Sequence, residues 1–343
     1  MISRVSIEDY FKQRDSAPLL DVRAPMEFSK GHIPGAHNLP LFSDEERAII
    51  GTLYKQEGRE TAILTGFDFV GNKWRKFIET AVELAPDKRV FVHCWRGGMR
   101  SGAMAWALDF YGFEVSVLEG GYKAFRHWIL DAFEQDYKLW LLGGMTGSHK
   151  TEILHEIGLC GRQIIDLEGL AHHQGSAFGS MNKWTQPTQE QFENELGNIL
   201  RGMHLQEAIW VEDESRTIGK VAIPNVFWKQ MQTKSLIEIH IGREERLNFL
   251  TQEYGSLNKD FLIEKTEQIR KRLGFDRAAL AIQAIKEDNM REFVSIVLDY
   301  YDKAYQGCIS RRHPDTIHAL QFEYATPRES AQIVMKFVRY ITY

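Results

Sequence analysis

The run Val90-Phe91-Val92-His93 is short, β-branched and aromatic, and it stops at Cys94; seven residues on, Ser101–Tyr111 is apolar at helical spacing and ends at Gly112. A strand that runs through a glycine loop straight into a helix constrains the chain to an α/β fold with a parallel sheet, because strands and helices then alternate along it. The loop between them, Cys94-Trp95-Arg96-Gly97-Gly98-Met99-Arg100, holds a thiol, two glycines and two arginines. A loop that feeds a helix N-terminus turns backbone N–H groups inward, so it binds anions and favours thiolate over thiol. Arg96 and Arg100 add to both effects. A purely structural cysteine would explain neither the glycines nor the arginines, so Cys94, Arg96 and Arg100 are the candidate catalytic residues.

The flanking sequence carries a resemblance. Leu19-Leu20-Asp21-Val22-Arg23 reads as a buried strand, followed by Glu27-Phe28 and Gly31-His32-Ile33-Pro34-Gly35-Ala36. With the Cys94 loop and Glu119-Gly120-Gly121-Tyr122, this pattern resembles the rhodanese superfamily, whose loop cysteine carries a persulfide or related chalcogen. Cys94, five residues, Arg100 and Ser101 also match the Cys-x5-Arg-Ser signature of cysteine phosphatases, and the loop alone leaves both classes open. Asp21 and Arg23 read as a bracing salt bridge and His32 as a turn residue. Phe42–Phe69 lacks strand periodicity and reads as helix or loop near the Cys94 mouth; Lys73–Leu84 is an amphipathic helix and Glu114–Leu118 another strand. The first domain is expected over residues 1–130.

The second, over residues 131–343, opens with the buried strand Leu139–Leu142 and the turn Gly143-Gly144-Met145-Thr146-Gly147-Ser148-His149-Lys150-Thr151 leading a helix. These are the parts of a P-loop: backbone amides cradle phosphates, Lys150 reaches their oxygens and Thr151 is placed to ligate magnesium. His149 stands where the pattern has glycine, at a backbone position that costs a side-chain-bearing residue energy. The phosphate-binding set is therefore Gly144, Gly147, Lys150 and Thr151, with Arg216 as an additional clamp. Two apolar strands end in acids, Ile164-Ile165-Asp166-Leu167-Glu168 and Ile209-Trp210-Val211-Glu212-Asp213-Glu214. Glu212 and Asp213 are the candidate metal-directing carboxylates, since a magnesium ion beside phosphates needs an acid. His172 and His173 are adjacent and point apart, so no resident metal site is expected. Beyond Ser235–Ile241, another strand, the chain reads as largely helical. Lys265, Arg270, Lys271, Arg272 and Arg277 form a basic cluster there, with Lys271 and Arg272 the candidate RNA contacts.

A rhodanese-like domain with CWRGGMRS joined to LLGGMTGSHKT, DLEGLAHHQGSAFG and VEDESRTIG resembles the bacterial tRNA 2-selenouridine synthases over nearly the whole chain. The resemblance implies a transferase acting on wobble-position 2-thiouridine of tRNA, with geranyl diphosphate and selenophosphate as co-substrates, S-geranyl-2-thiouridine as intermediate, no tightly bound cofactor, and magnesium only with the diphosphate. The alternatives are a rhodanese-fold cysteine phosphatase or sulfurtransferase, and a regulatory nucleotide-binding protein. Composition agrees with a folded, cytoplasmic protein: 343 residues, 43% apolar, a net charge of -5, and three cysteines without metal spacing. No run approaches the roughly 18 apolar residues of a membrane span. The negative balance excludes a generally basic nucleic-acid binder and leaves RNA contact to local patches.

Overall fold

The computed structural model describes residues 1–176, 178, 185–322 and 326–341. The chain forms two compact units, Met1–Ala132 with Glu193–Asn198, and Phe133–Phe192 with Ile199–Tyr343.

The first unit is built on a five-stranded sheet of β1 (Ile2–Val5), β2 (Leu19–Asp21), β3 (His37–Asn38), β4 (Arg89–His93) and β5 (Glu114–Leu118), in the order β1-β5-β4-β2-β3. Every pairing is parallel. Strands covered on both faces read as continuous apolar runs, and Val90, Phe91 and Val92 are all buried for that reason. Helix Met99–Phe110 packs back with Met104, Ala105 and Leu108 buried in the same core as Val90 and Val92. The stretch without strand periodicity forms two helices, Asp44–Gln56 and Arg59–Val70, followed by Trp74–Leu84. Ser43 starts the first of these: its Oγ accepts from the Glu46 N–H, while the Glu46 carboxylate accepts from the Ser43 N–H.

The second unit repeats the architecture. Its sheet comprises β6 (Leu139–Gly144), β7 (Gln163–Ile165), β8 (Ile209–Glu212), β11 (Leu236–Ile241) and β12 (Ile317–Phe322), ordered β12-β11-β6-β8-β7, all parallel; β9 (Thr217–Ile218) and β10 (Val221–Ala222) form a separate hairpin. Helices Arg243–Gly255, Lys259–Leu273, Phe275–Lys286 and Met290–Ile309 share a core around Leu250, Leu262, Ala281 and Phe293. The fold is thus mixed α/β with two parallel sheets and a largely helical C-terminal part. Among the described residues β12 is the one strand in that part beyond β11. It is an edge strand whose residues are mostly half-buried or exposed, so it lacks the apolar run of its neighbours.

β4 and β6 each hold the middle place in a five-strand order, and the chain departs to opposite sides of them. The crevice outside the carboxyl end of such a strand is where parallel α/β sheets place ligands, and the two glycine loops both lie there.

Candidate functional site

Cys94 follows β4 directly and is 4% exposed. Its Sγ lies 3.3 Å from Ser101 Oγ, which in turn donates to the Gly98 carbonyl at 3.1 Å. Burial pushes the Cys94 thiol up, but the Ser101 hydroxyl, the backbone N–H groups of Ser101 and Arg96, and the charge of Arg100 outweigh it and hold the thiol below its ordinary range. The loop is fixed from the far side by the start of helix Gly121–Ala132: the Tyr122 N–H donates to the Cys94 carbonyl and the Lys123 N–H to that of Trp95, both at 2.9 Å. Gly97 and Gly121 make this approach practicable. Both have positive φ, and a Cβ on Gly121 would overlap the Cys94 carbonyl oxygen, while one on Gly97 would stand 2.6 Å from that of Leu118.

Below the loop, Arg23 and Asp21 are both fully buried and paired, with Nη2 to Oδ2 at 2.6 Å. Arg23 also donates to the Gly31 carbonyl at 2.8 Å and lies 3.7 Å from the centre of the Tyr122 ring. His32 stacks on Phe28 with ring centres 4.0 Å apart. These residues position the loop.

The two loop arginines differ from expectation. Arg96 is exposed, and its contribution to Cys94 is its backbone N–H. Arg100 forms a two-point pair with Glu27, 2.5 and 3.3 Å, and Glu27 also faces Arg47 at 3.5 Å. The Arg100 charge acts on the thiol while its donors are spent on a carboxylate.

In the second unit β6 leads through Met145–His149 into helix Lys150–Leu159. His149 adopts the left-handed conformation, φ 59° and ψ 29°, that the glycine pattern demands, and its ring packs 4.2 Å from that of Phe249. Thr151 Oγ1 donates to Glu212 Oε1 at 2.6 Å; parallel pairing of β6 with β8 sets Leu142 opposite Glu212 and so delivers that carboxylate to the loop. Half-buried Glu168 and Glu214 complete an acidic trio with the fully buried Glu212. Burial raises all three above the usual carboxylate range, the neighbouring charges Glu214 and Glu212 adding for Glu168, Glu214 and Asp166 for Glu212, and Asp213 for Glu214; Lys150 opposes the rise in each.

A cavity of about 740 Å³ opens on this loop. Gly144, Gly147, Lys150 and Thr151 all line it. Five of its buried polar atoms, Ser148 Oγ, His173 Nδ1, Gln174 Oε1, Trp228 Nε1 and Tyr305 Oη, have no hydrogen-bond partner among the described residues. Unpaired buried groups of this kind are rare in a finished core. Arg216, expected as an additional clamp, is exposed and does not line the cavity, although its neighbour Ser215 does. Asp213 is also differently employed, since its carboxylate is bound by Arg312 at 2.6 Å. Among the described residues no group of three or more His, Cys, Asp and Glu side chains is arranged to hold a metal.

The chain matches the family model for the tRNA 2-selenouridine synthase AAA domain over residues 137–326 and that of the rhodanese-like domain over residues 6–127. It is 36% identical over 329 residues to the tRNA 2-selenouridine synthase of Hydrogenovibrio crunogenus, covering 84% of this chain and 88% of that one. With the protein of the same name from Marinobacter nauticus it shares 32% over 361 residues, covering 92% and 95%. The chain belongs to the tRNA 2-selenouridine synthase family.

Several residues of this tRNA 2-selenouridine synthase family member escaped the sequence. Arg246 donates to Asp302 through two nitrogens, at 2.8 and 2.7 Å, and to the Thr146 carbonyl at 3.1 Å, so it ties the phosphate loop to helix Met290–Ile309. Its signal was the Leu298–Tyr305 segment, in which aromatics alternate with charge. Lys271 and Arg272 are both exposed, and Arg272 also lines the cavity. Arg270 and Arg277 are engaged with Glu267 and Asp299. Of the stretch around Glu168, Ala177 and Gly179 lie outside the described residues.

Proposed function

We propose that the chain converts wobble-position 2-thiouridine of tRNA to 2-selenouridine in two steps, S-geranylation by geranyl diphosphate and then exchange of the geranylated sulfur for selenium from selenophosphate. The observation that carries this reading is the pairing of a thiolate loop and a phosphate loop in a chain whose relatives, matched over most of their length, bear the name tRNA 2-selenouridine synthase.

In the first step the uridine sulfur attacks the diphosphate-bearing carbon of the geranyl group; an S–C bond forms, the C–O bond breaks and diphosphate leaves. The loop N–H groups and Lys150 bind the diphosphate oxygens and stabilise the leaving charge. Magnesium, where the diphosphate carries it, would be held by Thr151 and Glu212. The donor set fits, because magnesium beside phosphates takes one or two oxygen ligands from protein and the rest from substrate and water. In the second step the N–H groups of the Cys94 loop hold the phosphoryl oxygens of selenophosphate while the Cys94 thiolate attacks phosphorus: an S–P bond forms, the P–Se bond breaks, and the released selenide attacks C2 of the S-geranylated base, so that a C–Se bond forms, the C–S bond breaks and geranylthiol leaves; water then cleaves the S–P bond, restoring the thiolate and releasing phosphate. Arg272 and Lys271 meet the RNA backbone, where local positive charge must offset the net charge of -5. The setting is the cytoplasm; among the described residues no helix is long and apolar enough to cross a membrane.

Mass spectrometry of nucleosides from 2-thiouridine tRNA, incubated with the full chain and each donor in turn, tests the proposal. S-geranyl-2-thiouridine with the first donor alone and 2-selenouridine with both are expected. Turnover of a chromogenic phosphoester with neither nucleoside would instead favour the cysteine phosphatase that the Cys-x5-Arg-Ser spacing allows.

A further inference from the structure

The first unit contains a cavity of about 970 Å³ to which the phosphate loop contributes nothing. Its walls are largely apolar, with Phe42, Ile50, Ile63, Trp74 and Met99 facing it. Three glycines line it. A Cβ on Gly51 would overlap the Arg47 guanidinium and one on Gly66 would touch Phe42 and Ile50, whereas a Cβ on Gly102 would meet no atom within 4 Å. One wall is the first turn of helix Met99–Phe110, where Met99, Arg100, Gly102 and Ala103 line the cavity and the intervening Ser101 holds the Cys94 sulfur. The cavity and the Cys94 sulfur thus share the first turn of one helix, although neither Cys94 nor Ser101 lines the cavity.

Its charges are one-sided. Arg47, Lys55, Arg59 and Arg100 line it, and no carboxylate does. Arg47 and Arg100 are satisfied by Glu27, while Lys55 and Arg59 have no ion-pair partner among the described residues. An apolar chamber of this size with unpaired cations at its rim suits a hydrocarbon chain attached to an anion.

We infer that this cavity binds the prenyl chain of an RNA-borne S-prenylated base, with Lys55 and Arg59 on the adjoining phosphates. The inference rests on the proposed function, which brings such a base to Cys94, and it assigns a second prenyl site distinct from that of the diphosphate donor. Geranyl diphosphate shares the chemistry of chain plus anion, so the test separates the two sources.

Binding of an anticodon stem-loop RNA carrying S-geranyl-2-thiouridine is compared with the same RNA carrying 2-thiouridine, and with geranyl diphosphate, on the full chain. The geranylated RNA is expected to bind tighter by on the order of tenfold or more, as burial of several methylenes requires. Gly102→Phe fills the open space and should erase that difference, leaving the affinities for 2-thiouridine RNA and geranyl diphosphate unchanged. Phe67→Ser, at an exposed lining residue, should reduce the difference without threatening the fold. Equal affinity of wild type for the two RNAs, or a difference that survives Gly102→Phe, overturns the assignment; loss of geranyl diphosphate binding in Gly102→Phe overturns it in favour of a donor site. Selenium incorporation into the pre-geranylated RNA is followed in parallel. Incorporation without selective binding would leave the proposed function standing and the cavity assignment refuted, and selective binding without incorporation the reverse.

Discussion

The two glycine loops solve one backbone problem with opposite chemistry. Each follows the middle strand of a five-stranded parallel sheet and enters a helix. At Cys94 the left-handed positions belong to glycines, the nearby guanidinium is neutralised by Glu27, and the environment draws a proton off a sulfur. At Lys150 a histidine shares the positive-φ positions with Gly144 and Gly147, and the environment pushes protons onto three carboxyls. A strand–loop–helix turn supplies anion-facing N–H groups in either case; the buried side chains around it decide whether the site offers a nucleophile or a place for a leaving anion and its cation.

The comparison breaks most sharply at the sulfur. Cys94→Ala should abolish selenium incorporation and retain geranyl transfer, assayed as separate half-reactions on thiolated tRNA. Loss of both in a variant whose circular dichroism matches wild type would end the division of labour between the loops.

Next in size are the braces. Arg23→Met strands a fully buried Asp21 and should cost about 3–5 kcal/mol in denaturant unfolding, whereas Arg246→Met, whose partner Asp302 is 19% exposed, should cost less and chiefly weaken diphosphate binding. Equal losses would mean that the braces do not differ in kind. Lys150→Ala removes a charge-assisted contact worth about 1.5–3 kcal/mol. Isothermal titration with geranyl diphosphate should show the matching affinity loss, with selenium transfer to pre-geranylated RNA intact.

The pH responses should run in opposite directions. The lowered Cys94 thiol predicts that alkylation of Cys94 follows a titration centred below that of an ordinary thiol. The raised Glu168, Glu212 and Glu214 hold protons in the folded chain that the unfolded chain has lost. Their contribution to stability is therefore full below the ordinary carboxylate value and declines as pH rises through the folded values. Urea midpoints that rose with pH in wild type and not in Glu168→Gln would contradict this. The smallest effect is His149→Gly: relief of the left-handed conformation should stabilise the second unit by about 1 kcal/mol or less, partly offset by the lost Phe249 contact. A lower thermal midpoint would show that the ring contact outweighs the strain.

Local pattern carried the two loops because each is contiguous in sequence: β4, Cys94 and its helix, or β6, Lys150 and its helix, need no distant partner to be recognised. The unusual backbone at His149 was legible for the same reason. What escaped depends on long-range pairing. Glu27 meets Arg100 across 73 positions, Asp213 meets Arg312 across 99, and Asp302 meets Arg246 across 56. A charge in sequence is free to be a ligand clamp or half of a structural pair, and only the fold chooses. Asp213 was read as a metal-directing carboxylate for that reason, the Glu27 partner of Arg100 went unseen, and Arg246 was not read at all.

The Arg246 bridge has a mechanical corollary. Thr146 hangs from Arg246, which hangs from Asp302 on the twenty-residue helix Met290–Ile309. That helix also presents Tyr300, Tyr301 and Tyr305 to the cavity. One guanidinium therefore holds the loop and the aromatic wall of the same cavity in a single frame, so that neither can shift without straining the other.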